Sequence, residues 1–409
     1  MEVLYARCAG LDVHQKSVVA CVRIHGPDGR AQTSTRTFAT DTAALLELSA
    51  WLEEHQCSHV VMEATGVYWK PVWHILEESF ALVLANASSV RNVPGRKSDV
   101  SDAAWLADLL AHGLVRASFV PERPTQELRD LTRTRKQMVK QRSQHVNRLH
   151  KVLEDANLKI GAYVTDITGV TGRAILGALI SGETDPAKLA DLRDPRLKTP
   201  RDELMKALRG KVTQHHRFML RMHLDQIAAT DDAIAQLDAQ IAELTSPLAE
   251  VVERLAAMPG MSETSASVVL AEIGPDMSRF PTAGHLISFA GLCPKMDRSA
   301  GKPRSTKLRK GSNWLKTVMV NCGWAAARSK NTYARAQFHR LKSRRGSKKA
   351  VIAVAASMLT AIYYMLRDSV PYRDLGGGYF DRRDSTKIAN RLRRRLESLG
   401  YAVSLQPAA

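Results

Sequence analysis

Four carboxylates and one serine carry the chemistry that can be read from this chain. Asp12 closes the apolar run "ARCAGLDV", and Glu63 lies near the end of a second one, "HVVMEA". Asp99 and Asp102 sit three apart in "KSDVSDAAWLAD", so they share one face of the helix that this segment predicts. If two parallel strands end at Asp12 and Glu63, and that helix covers the same sheet edge, four carboxylates converge. Anions packed so closely repel one another and call for cations. Oxygen-only ligands suit Mg²⁺ or Mn²⁺. Two such ions about 4 Å apart can activate a nucleophile and stabilise a leaving oxygen at a phosphate. Taken singly, each residue also has a plainer role. Asp12 could be a turn residue and Glu63 a solvated strand end, while Asp99 and Asp102 could cap a helix.

Ser299 is the second centre. It lies in "DRSAGKPRSTKLRKGSNWLK" among Lys295, Arg298, Lys302, Arg304, Lys307, Arg309, Lys310 and Lys316, with Asp297 the only acid between 295 and 316. A serine hydroxyl among cations and glycine amides is placed as a nucleophile on a phosphodiester would be. A solvated basic loop that holds phosphate without chemistry fits the same residues. Ser305 and Ser312 compete for the role. No acid and histidine lie nearby in triad order, so a hydrolase triad is not indicated.

The elements that must position these residues follow from periodicity. Residues 6–115 read as strands at 6–13, 17–24 and 33–40, a helix at 42–55, a strand at 59–64, a helix at 67–78 despite Pro71, a strand at 81–87 and a helix at 101–114. From 124 to 160, Leu128, Leu131, Met138, Val146, Leu149 and Leu153 recur at near-heptad spacing. Between them stand Arg129, Arg133, Arg135, Lys136, Lys140, Arg142, Arg148 and Lys151, with Asp130 the only acid from 128 to 151. This predicts a long basic amphipathic helix that binds a nucleic-acid backbone or packs on a partner helix that does. A second long helix is expected over 213–246, and the two could pair within one chain or as a dimer coiled coil.

Residues 251–370 read as mainly helical. "LAAMPGMSETSASVVLAEIG" has the form helix, Pro-Gly turn, helix, which suits either a phosphate-binding helix-hairpin-helix or a plain αα-turn. Residues 382–397 predict another basic helix. The expected division is 1–120, 121–250 and 251–409.

Composition sets the class of partner. The 409 residues carry 59 Lys and Arg against 41 acids, a net charge of +18, which favours a polyanion, nucleic acid first. Bulk charge supplies affinity but neither sequence specificity nor chemistry. The five cysteines form no CxxC pair, so a disulfide framework or zinc site is not expected. No apolar run of spanning length and no signal-peptide pattern are read, so a cytoplasmic, nucleoid-associated protein is expected.

The order of elements resembles a ribonuclease-H-like fold of the RuvC type. Nearly end to end, the chain resembles the DEDD transposases of bacterial insertion sequences, the family of bridge-RNA-guided recombinases. The segments that carry this are "GLDVHQKSVVA", "MEATGVYW", "NVPGRKSDVSDAAWLADLL", "RDLTRTRKQMVKQRSQHVNRLHKVLEDAN", "MPGMSETSAS", "FAGLCPKMDRSAGKPRSTKLRKGSNWL" and "PYRDLGGGYFDR". The resemblance implies an α/β RNase H-like (RuvC-like) domain, a helical coiled-coil region and a mainly helical C-terminal transposase domain. It implies Asp12, Glu63, Asp99 and Asp102 as Mg²⁺ ligands and Ser299 as a nucleophile that joins covalently to a DNA end. It also implies donor and target DNA, a non-coding bridge RNA, and a dimer of dimers with a composite active site. The alternatives are a RuvC-like junction nuclease using metal alone and a non-catalytic nucleic-acid scaffold.

Overall fold

A computed structural model of the chain describes residues 2–26, 30–64, 66–86, 90, 101–295, 297–299, 302–305, 307–383 and 385–405, with backbone alone at 297–299, 302–304 and 387. The chain forms two compact units, Met1–Val120 and Pro121–Ala409.

The first unit is a five-stranded sheet with helices. Its strands are β1 (Arg7–Val13), β2 (Ser17–His25), β3 (Ala31–Ala39), β4 (His59–Glu63) and β5 (Ala81–Ala85), in spatial order β3-β2-β1-β4-β5. The β1–β2 connection is only His14–Lys16, closed by His14 N–H donating to Ser17 O at 2.9 Å, so the pair is antiparallel. β3 continues the meander. β4 and β5 instead lie parallel to β1 and to each other, because α1 (Thr42–Glu54) and α2 (Trp69–Leu76) supply the crossovers that parallel pairing requires. Asp41 starts α1 by accepting from Ala44 N–H at 3.0 Å.

Strand alternation sends each strand's residues to two different cores. Ala9, Leu11, Val13, Val60 and Met62 pack with Leu45, Leu48, Leu52, Val72 and Leu76 of α1 and α2. Cys8, Val61 and Ala85 face the other side, where they pack with Trp105, Leu106, Leu109 and Leu110 of α3 (Asp102–Ala111). Each fully buried leucine is worth about 2 kcal/mol, so both faces of the sheet are held. β3 has one buried residue, Phe38, and a polar surface that discourages edge pairing.

The second unit begins with α4 (Arg123–Asp155), whose Pro124 sits in the first turn, where no amide donor is needed. α5 (Val170–Ser181), α6 (Pro186–Asp191) and α7 (Arg201–Ala207) follow, and α8 (Gln214–Thr245) returns antiparallel along α4. The long helices therefore pair within the chain. Leu149, Leu153, Ile175, Leu179, Leu204, Leu220 and Ile227 close a core at the far end of this hairpin.

Next come α9 (Ala249–Ala256), α10 (Glu263–Ile273) and α11 (Ala283–Ala290), then the strands β6 (Asp297–Ser299) and β7 (Lys302–Ser305). α12 (Asn313–Ala326), α13 (Tyr333–Arg345), α14 (Ser347–Arg367) and α15 (Ser385–Glu397) complete the unit. α14 is long and apolar enough to cross a membrane by length and composition. It contributes Val351, Val354, Ala355, Leu359 and Ile362 to the core and packs against α11, α12 and α13. All five cysteines are free, and burial pushes the Cys8 thiol up to about 12.

Candidate active site

Asp12 and Glu63 lie on neighbouring parallel strands. The register pairs Leu11 with Met62, so the next rung sets Asp12 beside Glu63 at the carboxyl ends of β1 and β4. Alternation fixes their side. Asp12 follows Cys8 and Gly10 at period two, Glu63 follows Val61, and Cys8 and Val61 both face α3. The pair therefore belongs to the face that α3 covers.

α3 runs antiparallel to β1. Cys8 Sγ donates to Ala107 O at 3.5 Å, whereas a methyl on Gly10 would overlap Ala103 O. Extending that direction brings the first turn of α3, with Asp102, toward the end of β1 where Asp12 stands. Only glycine at position 10 allows the helix backbone so close. Asp12 Oδ2 lies 3.1 Å from His14 Nε2, a contact that the sequence pattern did not single out. Arg23 Nη2 and Asp108 Oδ1, at 2.8 Å, lock the opposite end of α3 to β2.

Asp99 lies outside the described residues. Among the described residues no three His, Cys, Asp or Glu side chains close into a metal-holding group. The donor chemistry at this edge is oxygen only, which suits a hard divalent cation.

The Ser299 segment is a β-hairpin, where the sequence suggested a basic loop. β6 and β7 pair antiparallel with Ser299 opposite Lys302, leaving a two-residue connection. The ladder extends downward through Pro294 and Leu308, Lys295 N–H to Lys307 O at 2.9 Å, and Arg309 N–H to Cys293 O at 3.0 Å. Ser299 thus sits beside the tip of a hairpin made of cation-rich strands, and its own side chain is not described. Of the competing serines, Ser305 Oγ accepts from Lys307 N–H at 3.2 Å, and Ser312 Oγ donates to Glu272 Oε2 at 3.1 Å while capping α12.

The hairpin's base is rigid. Gly311 crosses Gly291 so closely that any side chain on it would strike Phe289 O and the Gly291 amide. Arg309 Nη1 donates to Ser288 Oγ at 2.8 Å, and Ser312 N–H donates to Phe289 O at 2.9 Å. Glu272, only 1% exposed, accepts from Arg133 at 2.8 and 3.0 Å beneath Trp314, whose ring lies 5.4 Å from the Arg133 guanidinium and 5.1 Å from Lys136 Nζ. The sequence pattern passed over Glu272 and Trp314. A lone acid inside "SVVLAEIG" was the one available signal.

The arginines of α4 are largely engaged inside the unit. Arg129 donates to Ala271 O at 3.0 Å and Glu272 O at 2.9 Å, Arg135 pairs with Asp238, and Arg142 pairs with Asp231. Their stripe fastens α4 to α8 and α10. Lys136, Lys140 and Arg148 remain solvent-exposed, as do Lys307, Arg309 and Lys310. The side chains of Arg298, Lys302 and Arg304 lie outside the description. In the Pro-Gly turn, Gly260 abuts Cys322 and Ala326 of α12, and Ser262 caps α10.

Residues 9–158 match the DEDD transposase model of the IS110 group, and residues 252–340 match that of the transposase IS116/IS110/IS902 family. The chain belongs to the DEDD-type insertion-sequence transposases. It is similar to the uncharacterized 43.6 kDa protein of insertion element IS110 from Streptomyces coelicolor, at 31% identity over 120 residues. That match spans 29% of this chain and 29% of the relative.

Proposed function

We propose that this chain is an RNase H-like, RuvC-type transposase that cuts and rejoins DNA through a covalent serine intermediate. The observation that carries the reading is the adjacency of Asp12 and Glu63 on parallel strands, on the sheet face that α3 covers. Asp12, Glu63, Asp99 and Asp102 would hold divalent metal, Mg²⁺ or Mn²⁺. Such ions supply Lewis-acid stabilisation of charge on the scissile phosphate.

The chain's own residues do the rest. The Ser299 Oγ–H loses its proton as Oγ bonds to phosphorus, and the P–O bond to the leaving strand breaks. The leaving oxygen takes a proton and departs as a free hydroxyl. A hydroxyl from the second strand then attacks the phosphoserine, restoring Ser299 and forming the new junction. Each step exchanges one phosphate ester for another, so no external energy source is needed. The cations of the hairpin, Arg298, Lys302, Arg304 and Lys307 among them, offset the charge that gathers on the phosphate. The positive charge of the chain holds donor DNA, target DNA and a bridge RNA, the last supplying sequence choice by base pairing. A homo-oligomer, read as a dimer of dimers, brings carboxylates and serine into one composite site.

Incubating the protein with a nicked junction substrate and Mg²⁺, then denaturing, tests this directly. A protein–DNA adduct is expected for the native chain and none for Ser299→Ala. Strand exchange that persists in Ser299→Ala would leave the metal-only nuclease in its place. Strand exchange that persists in both Asp12→Ala and Asp102→Ala would sink the metal-site reading.

A further inference from the structure

His14 stands two residues beyond Asp12, where strand alternation returns to the same face, and its ring reaches back so that Nε2 lies 3.1 Å from Asp12 Oδ2. An ionised carboxylate only accepts, so Nε2 carries the hydrogen of this bond. The His14 side chain is 59% exposed and that of Asp12 27%, so burial does not hold the pair together. The turn does. His14 N–H donates to Ser17 O at 2.9 Å, and Thr40 Oγ1 donates to Gln15 O at 2.9 Å. Thr40 directly follows β3 and precedes Asp41, the cap of α1. The connection between β1 and β2 is thus closed on itself and also tied to the end of β3.

An exposed pair of this kind adds little to stability. Its consequence is directional. A carboxylate has about four lone-pair positions, and a donor fixed at one of them sets the rotation of the group and hence where the others point. Partners that orient metal-binding side chains in this way typically govern affinity by ~10–100-fold.

We propose that His14 is a positioning residue for Asp12: its Nε2–H holds the carboxylate in the orientation that receives a divalent cation, and Thr40 braces the turn behind it. The proposal rests on the reading of Asp12 as a metal ligand.

The test is Mn²⁺ binding to the full chain without nucleic acid, followed by electron paramagnetic resonance of the free ion and accompanied by thermal melts. Asp12→Ala should abolish the tight site. His14→Ala should weaken it about tenfold with the melting temperature unchanged. His14→Gln, whose amide can donate in the same place, should restore most of that loss. Thr40→Val should weaken binding less than His14→Ala, because the bond from His14 N–H to Ser17 still closes the turn. Pulsed resonance of the bound Mn²⁺ should show no directly coordinated imidazole nitrogen. A coordinated nitrogen that vanishes in His14→Ala makes His14 a ligand and overturns the proposal. So does equal loss in His14→Gln and His14→Ala. Unchanged affinity in Asp12→Ala removes the metal site and this inference with it. A tight site lost in Asp12→Ala but kept whole in His14→Ala refutes the positioning role alone.

Discussion

Arg133 and Glu272, 139 residues apart in sequence, meet as a two-pronged ion pair at 2.8 and 3.0 Å, and Ser312 donates to the same carboxylate at 3.1 Å. One buried acid thereby joins α4, α10 and the base of the hairpin that carries Ser299. Position along the fold, rather than charge count, gives Arg133 its role.

Glu272→Ala should destabilise the C-terminal unit by about 2–3 kcal/mol. This falls below the ~3–5 kcal/mol of a fully buried pair, because Arg133 keeps about a third of its exposure and can turn to water. Denaturant unfolding followed by far-ultraviolet circular dichroism, which reports the helices of this unit, reads this. The same variant should slow adduct formation more than it weakens DNA binding, since it loosens the hairpin without removing a surface cation. Equal loss of both would show that Glu272 acts on stability alone.

Gly10→Ala should cost about 1–3 kcal/mol, the range for overpacking a tight interface, because the added methyl meets helix backbone that cannot rotate away. Hydrogen exchange in β1 and α3 should accelerate. If α3 lifts, Asp102 leaves the sheet edge, and cleavage should fall by more than the loss of stability explains. An unperturbed exchange pattern would contradict the close packing.

Asp108 provides the contrast. It shares α3 with Asp102 but pairs with Arg23, and His112 lies 3.5 Å away at the other end of the helix. Asp108→Asn should lower stability by about 1 kcal/mol and leave adduct formation intact. Asp102→Asn should do the opposite, abolishing adduct formation with little change in melting temperature. A common phenotype for the two would dissolve the distinction between structural and catalytic acids on this helix.

The long hairpin should weaken in mild acid. His223 is 4% exposed, and burial, His145 at 3.2 Å and Arg148 together hold its imidazole below the usual histidine range. The folded state therefore prefers the neutral ring. Its contribution is complete above the unfolded value of about 6.5 and is lost as pH falls through the lower folded value. Asp166 and Asp231 are also held low, by hydrogen bonds from Thr168 and Arg142 respectively. Their contributions persist until pH drops below about 3.9, a separate window. Thermal melts between about pH 7.5 and 5 should show a decline that His223→Gln flattens.

Much of the first unit was legible because its determinants are local. Period-two alternation puts Asp12 on the face of Cys8 and Gly10 and Glu63 on the face of Val61, and short connections dictated which strands could be antiparallel. The helical stripes of α4 and α8 were equally plain. The hairpin at 297–305 was not, because its pairing spans a polar, cation-rich stretch with no apolar alternation to announce a strand.

The sequence by itself determined the order of elements in the first unit, the face each of its strand residues takes and the excess of positive charge, since these follow from neighbouring residues and composition. Only the tertiary structure decided where that charge is spent. The acids that neutralise Arg142, Arg135 and Arg133 lie 89, 103 and 139 residues away, so the α4 stripe reads as an open basic face until α8 and α10 fold against it. Ion pairs depend on distance in space, and that distance is set by the packing of apolar faces elsewhere on the same helices.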